Sequence, residues 1–181
     1  MKIAVAGTGY VGLVTGVCLA EYGHSVTCVD IDEKKIAVMK AGISPIYEPG
    51  LEELMVDNME RLFFTTNYQE AYKDADVIFI GVGTPEKMDG SANLKYVYGV
   101  AEQIASSIEK DCVVVVKSTV PIGTNDKIES LIKTQLKHNV NVYIASNPEF
   151  LSQGTAVKDT LNTSRIVIGV EEEEAGETLK E

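Results

Sequence analysis

The sequence has no tryptophan, three cysteines and two histidines among its 181 residues. The cysteines, Cys18, Cys28 and Cys112, lie in apolar stretches and show no metal-ligand spacing. We therefore expect free core thiols in a reducing compartment and no bound metal. His24 and His138 lie near the ends of predicted helices, and no Ser-His-Asp or Cys-His pattern typical of nucleophilic catalysis is evident.

Positive charge is also scarce, since the sequence has 16 Lys and Arg residues but 27 Asp and Glu residues, which gives a net charge of −11. This balance argues against nucleic acid or an anionic membrane as a partner. No apolar run approaches the roughly 20 residues of a membrane span. Because Lys2 leads directly into an apolar strand, we expect no signal peptide and a cytoplasmic protein. The 45% hydrophobic content is enough for the core of one domain.

The first 30 residues form a pattern of strand, glycine-rich turn, helix and strand. The apolar run Lys2–Ala6 predicts a buried strand, and the turn 7–12 (GTGYVG) follows it at once. An apolar segment of helix length, 13–22, comes next, and Ser25–Val29 predicts a second strand that leads to Asp30. This order is typical of a dinucleotide-binding unit.

Each special residue in this unit has a physical role in holding a dinucleotide. Gly7 permits a tight turn, Gly9 lacks a Cβ and lets the backbone approach a diphosphate, and Gly12 allows close packing of helix on strand. The free N–H groups of the helix N-terminus attract phosphate. Asp30 would accept hydrogen bonds from a ribose diol and repel a 2′-phosphate, which predicts NAD rather than NADP. Two alternatives stay open, an α/β unit that binds nothing there and a methyltransferase with a similar loop.

Strand and helix patterns alternate along the rest of the chain, which predicts a Rossmann-type α/β fold. We expect a doubly wound, mostly parallel sheet with helices on both faces and right-handed crossovers. Further strands are predicted at 61–65, 76–82, 111–116, 140–145 and 165–170. Helices are predicted at 32–41 with Asp32 as its cap, at 51–59, 68–73 and 94–108, at about 124–136 with Thr124 or Asn125 as its cap, and from 171 onwards.

Small or polar residues follow most of the predicted strands. Parallel strands deliver their carboxyl ends to one edge of a sheet, where ligands bind. One site is therefore predicted from the turn 7–12, Asp30, 83–85 (GTP), 118–119 (ST) and 147–149 (NPE). Thr84 and Thr119 carry hydroxyls that could contact a ligand, although strand-ending threonines are also common turn formers. Lys35 could reach a ribose or phosphate, or could be an ordinary solvated lysine.

Glu149 is the most notable acid outside the first unit. It follows a proline at the end of a predicted buried strand, beside Phe150 and Leu151. A partly desolvated carboxylate in this position suits acid/base chemistry. The alternative is a structural role, in which Glu149 caps the following helix.

Longer motifs extend the pattern along nearly the whole chain. They are GTGYVGLVTGVCLAEYGHSVTCVDID from Gly7, YEPGL from Tyr47, GTP from Gly83, DGSANL from Asp89, KSTVPIGT from Lys117, NPEFLSQGTAVKD from Asn147 and RIVIG from Arg165. With these motifs the sequence resembles the N-terminal, NAD-binding part of the UDP-glucose 6-dehydrogenases, within the wider UDP-glucose/GDP-mannose dehydrogenase family.

The resemblance implies a four-electron oxidation of a sugar C6 alcohol to a carboxylate with two NAD+. It implies a nucleophilic cysteine on a second domain, which forms a thiohemiacetal and then a thioester. The implied catalytic residues are Thr119, beside cofactor and a site water, and Glu149, in acid/base chemistry or thioester hydrolysis. The expected cofactor contacts are Gly7, Gly9, Tyr10, Val11, Gly12, Asp30, Lys35, Gly83, Thr84, Pro85, Ser118, Thr119 and Gln153. The expected sugar-nucleotide contacts are Glu149, Phe150, Leu151, Ser152 and Gln153.

Two departures from the family pattern concern residues 152 and 153 and the length of the chain. Gln153 stands where the family usually has glutamate, and Ser152 where it often has arginine or alanine. We expect residues 1–181 to be an NAD-binding domain with the start of a following helix, without the substrate domain and inactive alone. The full-length protein is expected to be a homodimer. Other nucleotide sugars (GDP-mannose or UDP-N-acetylmannosamine) and a stand-alone NAD-binding module remain alternatives, although the DGSANL loop favours UDP-glucose.

Overall fold

A computed structural model describes residues 1–180, which form one seven-stranded sheet with helices on both faces. The strands are β1 (Lys2–Ala6), β2 (Ser25–Val29), β3 (Leu62–Thr65), β4 (Val77–Ile80), β5 (Cys112–Val116), β6 (Val142–Ser146) and β7 (Gly169–Val170). The helices are α1 (Tyr10–Glu21), α2 (Glu33–Lys40), α3 (Leu51–Asp57), α4 (Tyr68–Tyr72), α5 (Lys95–Ser107), α6 (Thr124–Gln135), α7 (Ala156–Leu161) and α8 (Glu173–Thr178). Within residues 1–180, the helices are all too short or too polar to span a lipid bilayer.

The strand order is β3-β2-β1-β4-β5-β6-β7, and the first six of these strands run parallel. Only β7 is antiparallel, and it pairs with the end of β6. The order reverses between β1 and β4, and in open α/β sheets ligands bind at such a switch point, outside the carboxyl ends of the strands. The predicted Rossmann-type, doubly wound fold is confirmed.

The core has two layers, one on each side of the sheet. Alternate strand residues such as Val5 and Val115 pack with α1, α2, α3, α7 and α8 on one face. Their neighbours Ala4 and Val114 pack with α4, α5 and α6 on the other face. Strands covered on both faces read as continuous apolar runs, which is why β4 and β5 could be recognised from the sequence.

Some predicted boundaries were wrong. Helix α1 begins at Tyr10 rather than at residue 13, so the last part of the glycine motif is already helical. The N-cap of α6 is Gly123, with φ of 79°, rather than Thr124 or Asn125. Thr124 is the first helical residue, and its hydroxyl donates to the Pro121 carbonyl. Asp32 is confirmed as the cap of α2, since its side chain accepts from the Lys34 and Lys35 amides.

The chain after β6 departs most from the prediction. The strand expected at 165–170 is reduced to Gly169–Val170. Beyond the end of β6, the Asn147 side chain donates a hydrogen bond to the Val167 carbonyl in place of a backbone pairing. The bounds of helix α7 were not predicted, and Glu149 does not cap this helix, because its N-cap is Thr155. The helix has six residues and only Ala156 and Val157 are buried, so it is too short to show a helical period.

Candidate functional site

The ends of five strands lie side by side at one edge of the sheet. In the strand register, Val29 pairs with Ala6, Ala6 with Ile80, Ile80 with Val116, and Val116 with Ser146. The residues that follow these five positions therefore leave the sheet at the same level. The structure thus brings the glycine turn, Asp30, 83–85, 118–119 and 147–149 to one edge, as the sequence predicted.

The glycine turn is packed against the end of β4. Gly7 has φ of 93°, and a Cβ there would lie 3.1 Å from the Gly81 carbonyl oxygen. A Cβ on Gly12 would lie 2.0 Å from the Gly7 carbonyl oxygen, so only glycine fits. A Cβ on Gly9 would meet nothing within 4 Å. The turn is thus closed on the protein side at Gly7 and Gly12 and open on the outer side at Gly9.

The N-terminus of α1 is suited to an anion. Gly9 is its N-cap and offers no side-chain hydrogen bond, and the first turn carries no acidic residue. The N–H groups at the start of a helix have no partner within it, and the helix dipole adds positive character. Tyr10 and Val11 lie in this turn, beside the open position at Gly9. These features fit the diphosphate of a dinucleotide.

Asp30 is held in place by three hydrogen bonds. Its Oδ2 accepts from the Thr8 amide at 2.9 Å and from the Thr8 hydroxyl at 2.5 Å, and its Oδ1 accepts from the Asp32 amide at 3.0 Å. Burial alone would raise the pKa of Asp30, but these hydrogen bonds and Lys35, whose Nζ is 4.0 Å from Oδ2, leave the pKa below its usual value. The carboxylate is therefore ionised and fixed in orientation, which suits it to a ribose diol.

Thr8 is a candidate site residue that the sequence analysis missed. It lies between the first two glycines of the motif and is 1% exposed, the lowest exposure among the polar residues of the turn. Both its amide and its hydroxyl orient Asp30. The available signal was a hydrogen-bonding side chain in the turn that faces the acid at the end of β2.

The two threonines and the serine at the edge have different surroundings. The Thr84 hydroxyl donates to the Thr119 carbonyl at 2.9 Å, and this bond joins the loops after β4 and β5. The Ser118 hydroxyl donates to the Val82 carbonyl at 2.6 Å, so its proton is used within the protein. Thr119 is exposed, as are Gly83 and Pro85 in the neighbouring loop. Among these three residues, Thr119 is the most exposed.

The segment 147–154 follows β6 at the same edge. Glu149 is half-buried, and its Oε2 accepts from the Leu151 amide at 2.6 Å. Leu151 packs on the core, whereas Phe150 is 75% exposed. Ser152 and Gln153 are also exposed. The expected sugar-nucleotide contacts thus form a surface stretch rather than a pocket, with Leu151 as its apolar attachment.

Lys117 lies next to this segment. Its Nζ donates to the Asn147 side-chain oxygen at 3.0 Å. Burial lowers the pKa of Lys117, and the nearby charge of Glu149 acts in the opposite direction. The charge of Lys117 is therefore near enough to Glu149 to interact with it, an arrangement that the sequence did not indicate.

Glu48, in the YEPGL motif, is a second residue whose place the sequence did not predict. It is buried, and its Oε2 accepts hydrogen bonds from the Tyr10 hydroxyl and from the Gly154 amide. Burial raises the pKa of Glu48, but these bonds and the amides of Val157 and Ala156 more than offset it, so the pKa lies below its usual value. The carboxylate is therefore ionised inside the protein.

The three cysteines are poorly suited to act as nucleophiles. Cys18, Cys28 and Cys112 are buried, and burial raises the pKa of each thiol to about 12. A thiolate is the reactive form of cysteine. Within residues 1–180, no cysteine is therefore suited to attack a substrate at the site.

Comparison with known proteins agrees with this geometry. The sequence model described as UDP-glucose/GDP-mannose dehydrogenase family, NAD binding domain, matches residues 1–181. The UDP-glucose 6-dehydrogenase YwqF of Bacillus subtilis (strain 168) is 56% identical over 183 residues, which cover 100% of this chain and 42% of that protein. The chain thus spans less than half the length of this curated relative.

Solved structures match equally well. A UDP-glucose dehydrogenase from the archaeon Pyrobaculum islandicum superposes with a TM-score of 0.94 at 39% identity, over 98% of this chain and 42% of the other. A GDP-mannose dehydrogenase from Pseudomonas aeruginosa, solved as a ternary complex, gives a TM-score of 0.94 at 39% identity, over 99% of this chain and 43% of the other. The fold is therefore common to dehydrogenases of both nucleotide sugars.

Proposed function

We propose that this chain, which belongs to the UDP-glucose/GDP-mannose dehydrogenase family, forms the NAD-binding half of an enzyme that oxidises UDP-glucose to UDP-glucuronate with two NAD+. The observation that carries the proposal is the common level of the five strand ends. This register supports the proposal, because the first turn of α1 and Asp30 follow strands that end on the same edge as those that lead to Thr119 and Glu149. A cofactor that extends along this edge from Asp30 would bring its nicotinamide toward the loops after β5 and β6.

The residues of the chain divide the work between binding and chemistry. When bound, NAD+ supplies the hydride acceptor. The N-terminus of α1 neutralises the diphosphate, and Asp30 with Lys35 orients the ribose next to adenine. Thr119 offers a hydroxyl beside the reacting carbon, and Glu149, supported by Lys117, accepts or returns a proton there. Gln153 keeps hydrogen-bonding capacity at its position without a charge.

UDP-glucose is the preferred substrate in this proposal because the relative at 56% identity is named for it. GDP-mannose is the second candidate, because the structure named for that sugar matches this chain with the same TM-score and identity as the one named for UDP-glucose. The exposed stretch Phe150–Gln153 would contact the sugar nucleotide in either case. The choice between UDP-glucose and GDP-mannose would then depend on contacts outside this edge of the sheet.

We also propose that this chain binds NAD+ but does not complete the oxidation alone. The step to a carboxylate requires a thiolate in the mechanism that the family resemblance implies, and the described cysteines are buried with a raised pKa. The whole enzyme is proposed to act in the cytoplasm as a homodimer. Both of these statements rest on the resemblance and on the free thiols.

Calorimetric titration tests the proposed function. We expect the chain to bind NAD+, to bind NADP+ at least about tenfold more weakly because Asp30 repels a 2′-phosphate, and not to bind S-adenosylmethionine. With UDP-glucose and NAD+, we expect no sustained NADH absorbance at 340 nm. Binding of S-adenosylmethionine in place of NAD+ would overturn the cofactor assignment, and steady turnover would overturn the proposed dependence on further residues.

A further inference from the structure

The segment 147–154 is tied down at both ends and exposed in between. At its start, the Asn147 side chain accepts from Lys117 at 3.0 Å and donates to the Val167 carbonyl at 2.9 Å. At its end, the Gly154 amide donates to Glu48 Oε2 at 2.7 Å and to the Tyr10 hydroxyl oxygen at 3.2 Å. The second attachment links three parts of the chain that are far apart in sequence.

Glu48 is an ionised carboxylate in a buried position, which is unfavourable for a residue with only a structural role. It is 5% exposed, and within residues 1–180 both of its hydrogen bonds go to Oε2. The amides of Val157 and Ala156 lie near the carboxylate, but neither reaches the buried Oε1 in hydrogen-bond geometry. Burial of an ionised carboxylate is unfavourable unless hydrogen bonds replace the water that the charge loses. We take the buried carboxylate, which accepts from two donors with one oxygen, as a sign that Tyr10 and Gly154 must be held in position.

Tyr10 connects this attachment to the cofactor site. It is the first residue of α1, so its backbone lies in the turn that suits the diphosphate, while its hydroxyl donates to Glu48. The path from the turn to the segment consists of two hydrogen bonds to one oxygen atom. A change in the first turn of α1 would therefore reach Gly154 through Glu48, in addition to the longer direct contact of 3.2 Å between the Gly154 amide and the Tyr10 hydroxyl oxygen.

We propose that Glu48 is a positioning residue that fastens the segment 147–154 to the first turn of α1, so that a cofactor bound at this turn also orders the segment. The proposal rests on the proposed function, because it takes the diphosphate to bind at α1. It assigns the YEPGL motif a role in joining the cofactor site to the sugar-nucleotide stretch. Glu48 itself touches neither ligand.

Amide hydrogen exchange of Gly154, followed by NMR in this chain, tests the proposal directly. The variants are Glu48→Ala, Glu48→Gln and the control Glu53→Ala, which removes an exposed carboxylate from the next helix. Without ligand, we expect Gly154 to exchange at least about tenfold faster in Glu48→Ala than in Glu53→Ala, since an anchoring charged hydrogen bond is lost. Glu48→Gln keeps one acceptor oxygen and should restore part of the protection.

Addition of NAD+ separates a positioning role from a local structural one. Saturating NAD+ should slow exchange at Gly154 by at least about threefold in the wild type and in Glu53→Ala, because ligand binding penalises opening of the site. The slowing should be absent in Glu48→Ala. Equal exchange in Glu48→Ala and Glu53→Ala, or equal slowing by NAD+ in both, would overturn the proposal. If the wild type bound no NAD+, the cofactor assignment and the cofactor linkage would both fail, whereas the anchor would still be judged by the ligand-free rates.

Discussion

Asp30 depends on its neighbours for both its charge and its orientation. Three hydrogen bonds from Thr8 and Asp32 hold the carboxylate, and its pKa is lowered in spite of partial burial. The carboxylate is thus preorganised before any ligand arrives. Sequence reasoning found the acid from its place after β2, but it did not find Thr8, because the contact between them exists only once β1 and β2 are paired.

Substitution of Asp30 by Asn tests this residue. We expect Asp30→Asn to weaken NAD+ binding by about tenfold to a hundredfold, the value of a charged hydrogen bond. The preference for NAD+ over NADP+ should shrink, since the negative charge that repels a 2′-phosphate is lost. Calorimetry with both cofactors measures the two effects. The matched control is Asp57→Asn, on an exposed residue at the end of α3, and comparable losses in both variants would argue against a specific ribose contact.

The glycine turn and the start of α1 form the element that we propose to bind the diphosphate of the cofactor. Two of its glycines are required by close contacts within the protein, whereas Gly9 faces open space. The same residue type therefore serves stability at Gly12 and access at Gly9. The sequence motif lists the glycines together, and only the packing separates their roles.

A matched pair of alanine substitutions separates these two roles. Gly12→Ala would place a Cβ 2.0 Å from the Gly7 carbonyl oxygen, so we expect it to lower the free energy of unfolding by about 3 kcal/mol or more and to abolish NAD+ binding. Gly9→Ala meets nothing within 4 Å, so we expect a change of about 1 kcal/mol or less together with loss of binding. Urea denaturation and calorimetry measure both. Normal NAD+ affinity in Gly9→Ala would contradict the placement of the diphosphate.

The elements after β6 were the least predictable. The apolar run RIVIG predicted a full strand, but Ile166 and Val167 are exposed and only Gly169–Val170 pairs with β6. The length of an edge strand depends on the backbone groups that the neighbouring strand offers for pairing. Here the Val167 carbonyl accepts a hydrogen bond from the Asn147 side chain instead of from the backbone of β6. Helix α7 is short and is held by contacts with α1 rather than by its own periodicity.

At the scale of the whole molecule, carboxyl groups with a lowered pKa connect distant parts of the chain through hydrogen bonds. Asp76, just before β4, accepts from the Lys2 amide at 2.6 Å and from the Lys110 ammonium at 2.5 Å. Burial would raise the pKa of Asp76, but these bonds leave it below its usual value. Asp76 therefore joins β1 to the start of β5 at the edge opposite the candidate site.

The sign of these shifts predicts loss of stability in acid. A carboxyl group whose pKa is lower in the folded protein stabilises the fold above its unfolded pKa, about 3.9 for Asp, and this contribution is lost as pH falls through the folded pKa. We expect the contribution of these carboxyl groups to the free energy of unfolding to be nearly constant from pH 7 to 5 and to drop below about pH 4. Asp76→Asn removes one of these contributions at every pH. We therefore expect a lower free energy of unfolding at pH 7 and a smaller further drop in acid. Urea denaturation at pH 7, 5 and 3 measures it, and an unchanged pH profile in Asp76→Asn would contradict the assignment.

The sequence by itself determined the alternation of strands and helices, the glycine turn with its acid, and the gathering of ligand-facing residues at one edge. These features are local or periodic, and a doubly wound sheet converts them into position by a general rule. Only the tertiary structure decided which side chains hold the site together. Thr8 with Asp30, Lys117 with Asn147 and Glu48 with Gly154 are contacts between residues 22 to 106 positions apart, and no local pattern encodes such distances.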